Sequence, residues 1–210
     1  MTKVFDLDGT LLDSNNIWRD IDERFVHRRG LRLTEEYTEF VSHAIFPVAA
    51  QFTKEYYHLS ESTDEIMAEW YAMAEDAYTN QLPLKPHVKA YLDRCTENKD
   101  RMVVYTSSVP ELCRSALRRH ALIPYFESLY FAQELKLEKK YPTSFLRLAE
   151  MLGEKPENCI LYDDSPVACA AAKKAGWQVI GIKENFFAHH EATLEQVCDR
   201  VISDFFELMN

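Results

Sequence analysis

The chain predicts an α/β fold: a parallel sheet flanked by helices, with an all-helical segment inserted after the first strand. Three observations carry this. Short apolar runs of strand length recur along the chain, helix-like segments separate the later ones, and a long stretch without a strand follows the first. At 210 residues the chain fits one domain of ordinary size, or a core with an inserted subdomain.

The elements follow in order. Strands are expected at Lys3–Asp8, Met102–Thr106, Ser128–Ala132, Cys159–Asp163 and Gln178–Ile182, each apolar enough for a sheet buried on both faces. Pro110–His120 reads as a helix after Ser108, with Glu111 three residues later in capping-box spacing. Pro142–Leu152 has proline at its start and Gly153 just past its end. Pro166–Ala175 starts after Ser165, a good N-cap, and stops at Gly176. Between the first two strands lie four helical segments, Trp18–Arg29, Glu35–Ala44, Val48–Tyr57 and Asp64–Tyr78, punctuated by Gly30 and Pro47. LPLKP (Leu82–Pro86) closes this block. The expected division is an α/β core from residues 1–14 and 82–210 and a helical cap from 15–81.

Composition narrows the function. Apolar residues make up 47% of the chain, yet no stretch approaches the roughly 20 apolar residues of a membrane span. The strand-like run starting at Lys3 leaves no room for a signal peptide. A net charge of −10 repels nucleic acid and acidic membranes, so neither is an expected partner. The five cysteines, Cys95, Cys113, Cys159, Cys169 and Cys198, form no CxxC and read as reduced thiols of a cytoplasmic protein, with no zinc or redox role expected.

Ligands of open parallel sheets bind at the carboxyl ends of the strands. There the sequence puts Asp6 and Asp8 after the first strand, Thr106 and Ser107 after the second, and Asp163 and Asp164 after the fourth. Lys139 and Lys140 lie just before the helix that starts at Pro142. Crowded carboxylates need a cation, and an oxygen-only donor set favours a hard ion such as Mg²⁺. With a lysine and hydroxyl donors the cluster suits a phosphoryl group, and an aspartate can serve as nucleophile.

DLDGTLLDS (Asp6–Ser14), VVYTSS (Val103–Ser108), KKYPTSF (Lys139–Phe145) and CILYDDSP (Cys159–Pro166) resemble, in order, the four motifs of the haloacid dehalogenase-like hydrolases. The helical insertion stands where that family carries its C1-type cap. The resemblance implies that Asp6 attacks phosphorus and that Asp8 is the general acid and then the base. It implies that Gly9 forms the turn out of the site, that Thr106 and the Ser107 amide bind phosphate oxygens, and that Lys139 neutralises the nucleophile and the phosphoryl group. Lys140, in a position where many relatives have proline, is the competing lysine. Mg²⁺ would be held by Asp6, the main-chain carbonyl of Asp8, Asp164 and Asp163, the last directly, through water or by orienting Lys139. Ser108 is read as a helix cap.

The resulting expectation is a Mg²⁺-dependent phosphatase, monomer or homodimer, acting on a small phosphorylated metabolite through an aspartyl-phosphate. A β-phosphoglucomutase-like mutase, a small-molecule pyrophosphatase and a receiver-like signalling module are the alternatives. In the insert, Trp18, Arg19, His43, Lys54 and His58 are within possible reach of a ligand, although packing or surface roles are commoner for each; Trp70 and Tyr71 are read as the insert's own core.

Overall fold

The structure is a computed structural model describing residues 1–184 and 191–209, without the side chains of residues 15, 16 and 191. The expected core range 82–210 thus includes residues 185–190 and 210, which lie outside the described ones.

Six parallel strands form one sheet in the order β3-β2-β1-β4-β5-β6, with β1 inside. They are β1 (Thr2–Phe5), β2 (Arg101–Thr106), β3 (Ser128–Phe131), β4 (Cys159–Asp163), β5 (Gln178–Ile182) and β6 (Arg200–Ile202). Alternation along each strand sends neighbours to opposite faces. Val4, Val103 and Leu161 pack on one side, beneath α7 (Pro142–Leu152) and α8 (Pro166–Lys174). Phe5, Val104 and Tyr162 pack on the other, against α5 (Val88–Glu97) and α6 (Pro110–Arg119). Both faces are therefore covered, which explains why these strands read as unbroken apolar runs.

Between β1 and α5 the chain builds α1 (Asn15–His27), α2 (Glu35–Val41), α3 (Phe46–Tyr56), α4 (Thr63–Asp76) and a single π-helical turn, Ala77–Gln81. Their contacts are aromatic: Phe25 and Phe46 meet Trp70 at 5.5 and 5.4 Å between ring centres, and Tyr37 lies 5.0 Å from Tyr57. The insert leaves and rejoins the core through paired connections. The amide of Asp13 donates to the Pro83 carbonyl at 3.1 Å, that of Lys85 to the Leu11 carbonyl at 3.0 Å, and Leu12 bridges Leu84 in antiparallel fashion. Among the described residues no helix is long and apolar enough to cross a membrane.

Five local features differ from the sequence expectation. The first strand stops at Phe5, not Asp8, because the Leu7 carbonyl gathers the amides of Thr10, Leu11 and Leu12 and turns the chain. Helix α5 and strand β6 were not expected; the first follows LPLKP directly and the second has only three residues. The fourth insert helix ends at Asp76, and the π turn carries Tyr78. Ser108 does not cap α6. Val109 holds the N-cap position without a side-chain bond, because Pro110 at the first helical position has no amide to satisfy and presets the helical φ.

Candidate active site

The sheet register sets the stage. Phe5 is level with Val104 and with Tyr162, so the residues after β1, β2 and β4 emerge along one edge. The amide of Asp6 still donates to the Tyr162 carbonyl at 2.9 Å, which holds Asp6 against the tip of β4. Gly9, at φ +71°, makes the left-handed turn that leads away, and its amide donates to Ser14 Oγ at 3.2 Å.

Lys139 is the centre of the cluster. Its Nζ lies 2.8 Å from Asp6 Oδ1 and 2.5 Å from Asp163 Oδ2, and its side chain is only 7% exposed. Burial opposes its charge, but Asp163 and Asp6 outweigh that and raise its pKa. The loop that carries it is pinned twice. The Tyr105 hydroxyl donates to the Leu137 carbonyl at 2.7 Å, and Ser144 Oγ donates to the Glu138 carbonyl at 2.7 Å. Lys140 also lines the cavity between sheet and insert but pairs with Glu138 at 2.9 Å and lies over the rings of Tyr141 and Phe40, at 5.2 and 5.8 Å.

Asp163 is fully buried and its pKa is pushed up to about 6, first by desolvation, against the pull of Lys139. Its Oδ1 accepts the Ser165 amide at 2.9 Å, so both of its oxygens are engaged. Asp164 receives the Thr10 hydroxyl at 3.4 Å. Ligand atoms of Asp6, Asp163 and Asp164 all lie within 4.8 Å of one another. Three buried carboxylates face one buried ammonium, so the group holds negative charge in excess and offers oxygen donors alone. That donor set fits a hard divalent cation such as Mg²⁺.

The Asp8 carboxyl stands outside this group. Its Oδ1 accepts from the Ser14 hydroxyl at 2.6 Å and from the Tyr78 hydroxyl at 2.5 Å. Burial raises its pKa, and those two bonds oppose the rise. Thr106 is 1% exposed; its Oγ1 accepts the Ser108 amide at 3.2 Å, which leaves the hydroxyl proton to donate elsewhere. Ser107 lines the same cavity between sheet and insert, as do Asp6, Asp8, Lys139 and Asp164. Gly9 does not line it.

The insert residues divide. Trp18, Arg19 and His43 line the cavity, with His43 Nδ1 at 3.1 Å from Ser165 Oγ. Lys54 instead donates to the Glu61 carbonyl at 2.8 Å, and neither it nor His58 lines the cavity. Trp70 packs in the insert as expected and also reaches the cavity wall.

A family model described as haloacid dehalogenase-like hydrolase matches residues 2–176. The chain belongs to the haloacid dehalogenase-like hydrolases. It is an enzyme of the hydrolase class, which removes the receiver-like alternative. The chain is 24% identical to fructose-1-phosphate phosphatase YqaB of Escherichia coli over 86% of this chain and 95% of that protein. It is 26% identical to phosphoglycolate phosphatase of Aquifex aeolicus, over 82% of this chain and 80% of that one. The crystal structure of CbbY from Rhodobacter sphaeroides in complex with phosphate shares the fold, with a TM-score of 0.81 at 20% identity, covering 99% of this chain and 95% of that chain.

Three residues at the site escaped the sequence reading as functional groups. Thr10 holds Asp164, and its place directly after Asp8 and Gly9 was the available signal. The buried Ser108 hydroxyl lies against Asp8 and Tyr78 rather than capping a helix. Tyr78 is 70 residues from Asp8 in the chain and gave no local signal at all.

Proposed function

We propose that this hydrolase is a Mg²⁺-dependent phosphatase of small phosphorylated metabolites, with phosphorylated sugars and sugar-derived acids as the leading class, working through a phosphorylated Asp6. The observation that carries the reading is the contrast between two neighbouring carboxyls. Asp6 is paired with a buried ammonium, while Asp8 lies apart in surroundings that favour its protonated form. A carboxyl paired with an ammonium and a second carboxyl set apart from that pair are the arrangement a nucleophile and a proton donor require. The phosphatase names of the relatives support the same class of substrate.

Asp6 attacks phosphorus. The bond from phosphorus to the leaving oxygen breaks, and that oxygen takes the proton of Asp8. Asp8, now a carboxylate, takes a proton from water as that water attacks the same phosphorus. The bond to Asp6 breaks, phosphate leaves, and both side chains return to their starting states. Thr106 and the Ser107 amide bind phosphoryl oxygens, and Lys139 balances their charge. Asp6, Asp164, Asp163 and the main-chain carbonyl of Asp8 would hold Mg²⁺, which would supply further neutralisation of the phosphoryl charge. The helical insert serves as a lid whose cavity face meets the rest of the substrate.

The test is release of inorganic phosphate from a panel of phosphorylated sugars, sugar acids and nucleotides with Mg²⁺. Turnover on at least one is expected, and Asp6→Asn is expected to abolish it in a protein that melts normally. Conversion of a hexose 1-phosphate to hexose 6-phosphate without free phosphate would establish the mutase instead. Wild-type turnover by Asp6→Asn would refute the nucleophile.

A further inference from the structure

Behind the reacting groups runs a chain of hydrogen bonds that the phosphatase reading does not use. The Trp18 indole N–H donates to the Tyr78 hydroxyl oxygen at 2.7 Å, and the Tyr78 hydroxyl donates to Asp8 Oδ1 at 2.5 Å. The direction is fixed by chemistry. An indole nitrogen only donates, so the tyrosine oxygen must accept from it, and the single phenolic proton is left for the carboxyl. Ser14 repeats the logic, accepting the Gly9 amide and passing its proton to the same Oδ1.

We propose that Tyr78 is a positioning residue for the proton-donating Asp8, and that it ties the orientation of that carboxyl to the placement of the lid. This rests on the phosphatase reading above.

Geometry supports it in three ways. First, both donors converge on Oδ1, while among the described residues Oδ2 is buried with no partner at hydrogen-bond distance and the Ser108 hydroxyl lies beside the carboxyl. Oδ1 is thereby held from two sides, which fixes the orientation of the carboxyl. Second, the parts come from both sides of the molecule. Trp18 sits on the first insert helix, Tyr78 on the turn that ends the insert and Ser14 at the start of α1, whereas Asp8 belongs to the core. Third, the π-helical turn widens the backbone where α4 gives way to the connection back to the sheet. Such turns are frequently found at functional sites. Tyr78 is completely buried there, and its ring lies 6.0 Å from that of Trp18, itself part of the cavity wall. Whatever displaces Trp18 is two hydrogen bonds from the proton donor. A tyrosine needed only for packing would be served equally by phenylalanine, so the hydroxyl is what the test must isolate.

Tyr78→Phe removes that hydroxyl and keeps the ring. Two measurements decide its role. The chain has three tryptophans, and among the described residues the indoles of Trp70 and Trp177 have no hydrogen-bond partner, so the Trp18 N–H is distinguishable among three side-chain resonances in a ¹⁵N-labelled sample. Asp8→Asn is expected to shift the Trp18 resonance in the wild-type background and to leave it in place in the Tyr78→Phe background. In kinetics, an alkyl phosphate such as glycerol phosphate needs a proton on its leaving oxygen and p-nitrophenyl phosphate does not. The ratio of their kcat/KM values is expected to fall about tenfold in Tyr78→Phe, since a misplaced acid forfeits part of its contribution. An indole resonance indifferent to Asp8→Asn, or an equal loss on both substrates, would overturn the proposal in favour of a packing role. Wild-type protein inert toward every phosphate would instead overturn the phosphatase reading, and the indole shifts alone would then decide whether Tyr78 links the insert to Asp8.

Discussion

Lys139 is paired with both Asp6 and Asp163. Removing it leaves those two buried carboxyls, close to Asp164, without the ammonium that bridges them. Lys139→Met is therefore expected to lose turnover and about 3 kcal/mol of stability, the stability loss shrinking as Mg²⁺ is added; denaturant melts with and without the ion measure both. Asp22 gives a pH prediction of definite sign. It lines the cavity from the insert, and burial pushes its pKa up to about 7, with the Tyr37 hydroxyl opposing. The fold thus favours its protonated form. As pH rises from about 4 to about 7 the unfolded chain ionises first, and stability falls across that window. Allowing for its partial exposure, Asp22→Asn is expected to recover about 2 kcal/mol at pH 8 and to flatten the profile, as read by thermal melts from pH 4 to 8. Asp6, Asp8, Thr106, Lys139, Asp163 and Asp164 could be read from the sequence because each follows an apolar run or precedes a helix. Tyr78 could not, because no rule of spacing links it to a carboxyl on the far side of the insert.

Helix α4 shows how an element can be stabilised apart from the chemistry. Ser62 and Glu65 form a reciprocal capping box at its start. Ser62→Ala is expected to cost about 1 kcal/mol while kcat/KM stays at the wild-type value, which chemical denaturation and a phosphate-release assay check together. The strands were legible because a sheet covered on both faces demands continuous apolar runs, as in Val103–Thr106 and Cys159–Tyr162. Strand β6 was not: three residues contain too little pattern, and its place beside β5 depends on tertiary packing. Ser108 and Glu111 show the converse. Their spacing imitated a cap, but Pro110 and the neighbouring Asp8 set a different use for the hydroxyl.

Taken together, the molecule places an excess of negative charge at the mouth of its sheet, in a chain already at −10. A divalent ion that binds there stabilises the native state by mass action. The melting temperature is expected to rise with Mg²⁺, to return to its starting value with EDTA, and to lose this response in Asp164→Asn; scanning calorimetry over a Mg²⁺ series measures it. The connections at Asp13–Pro83 and Leu11–Lys85 bear on how such a protein diversifies. Because the two connections of the neck already touch, the helices above it can change in length while β1 and β4 keep Asp6, Asp163 and Asp164 in place, whereas Asp8 keeps its setting only where a group such as Tyr78 is retained. Inheritance can therefore vary the outer helices more freely than the turn that returns to the sheet.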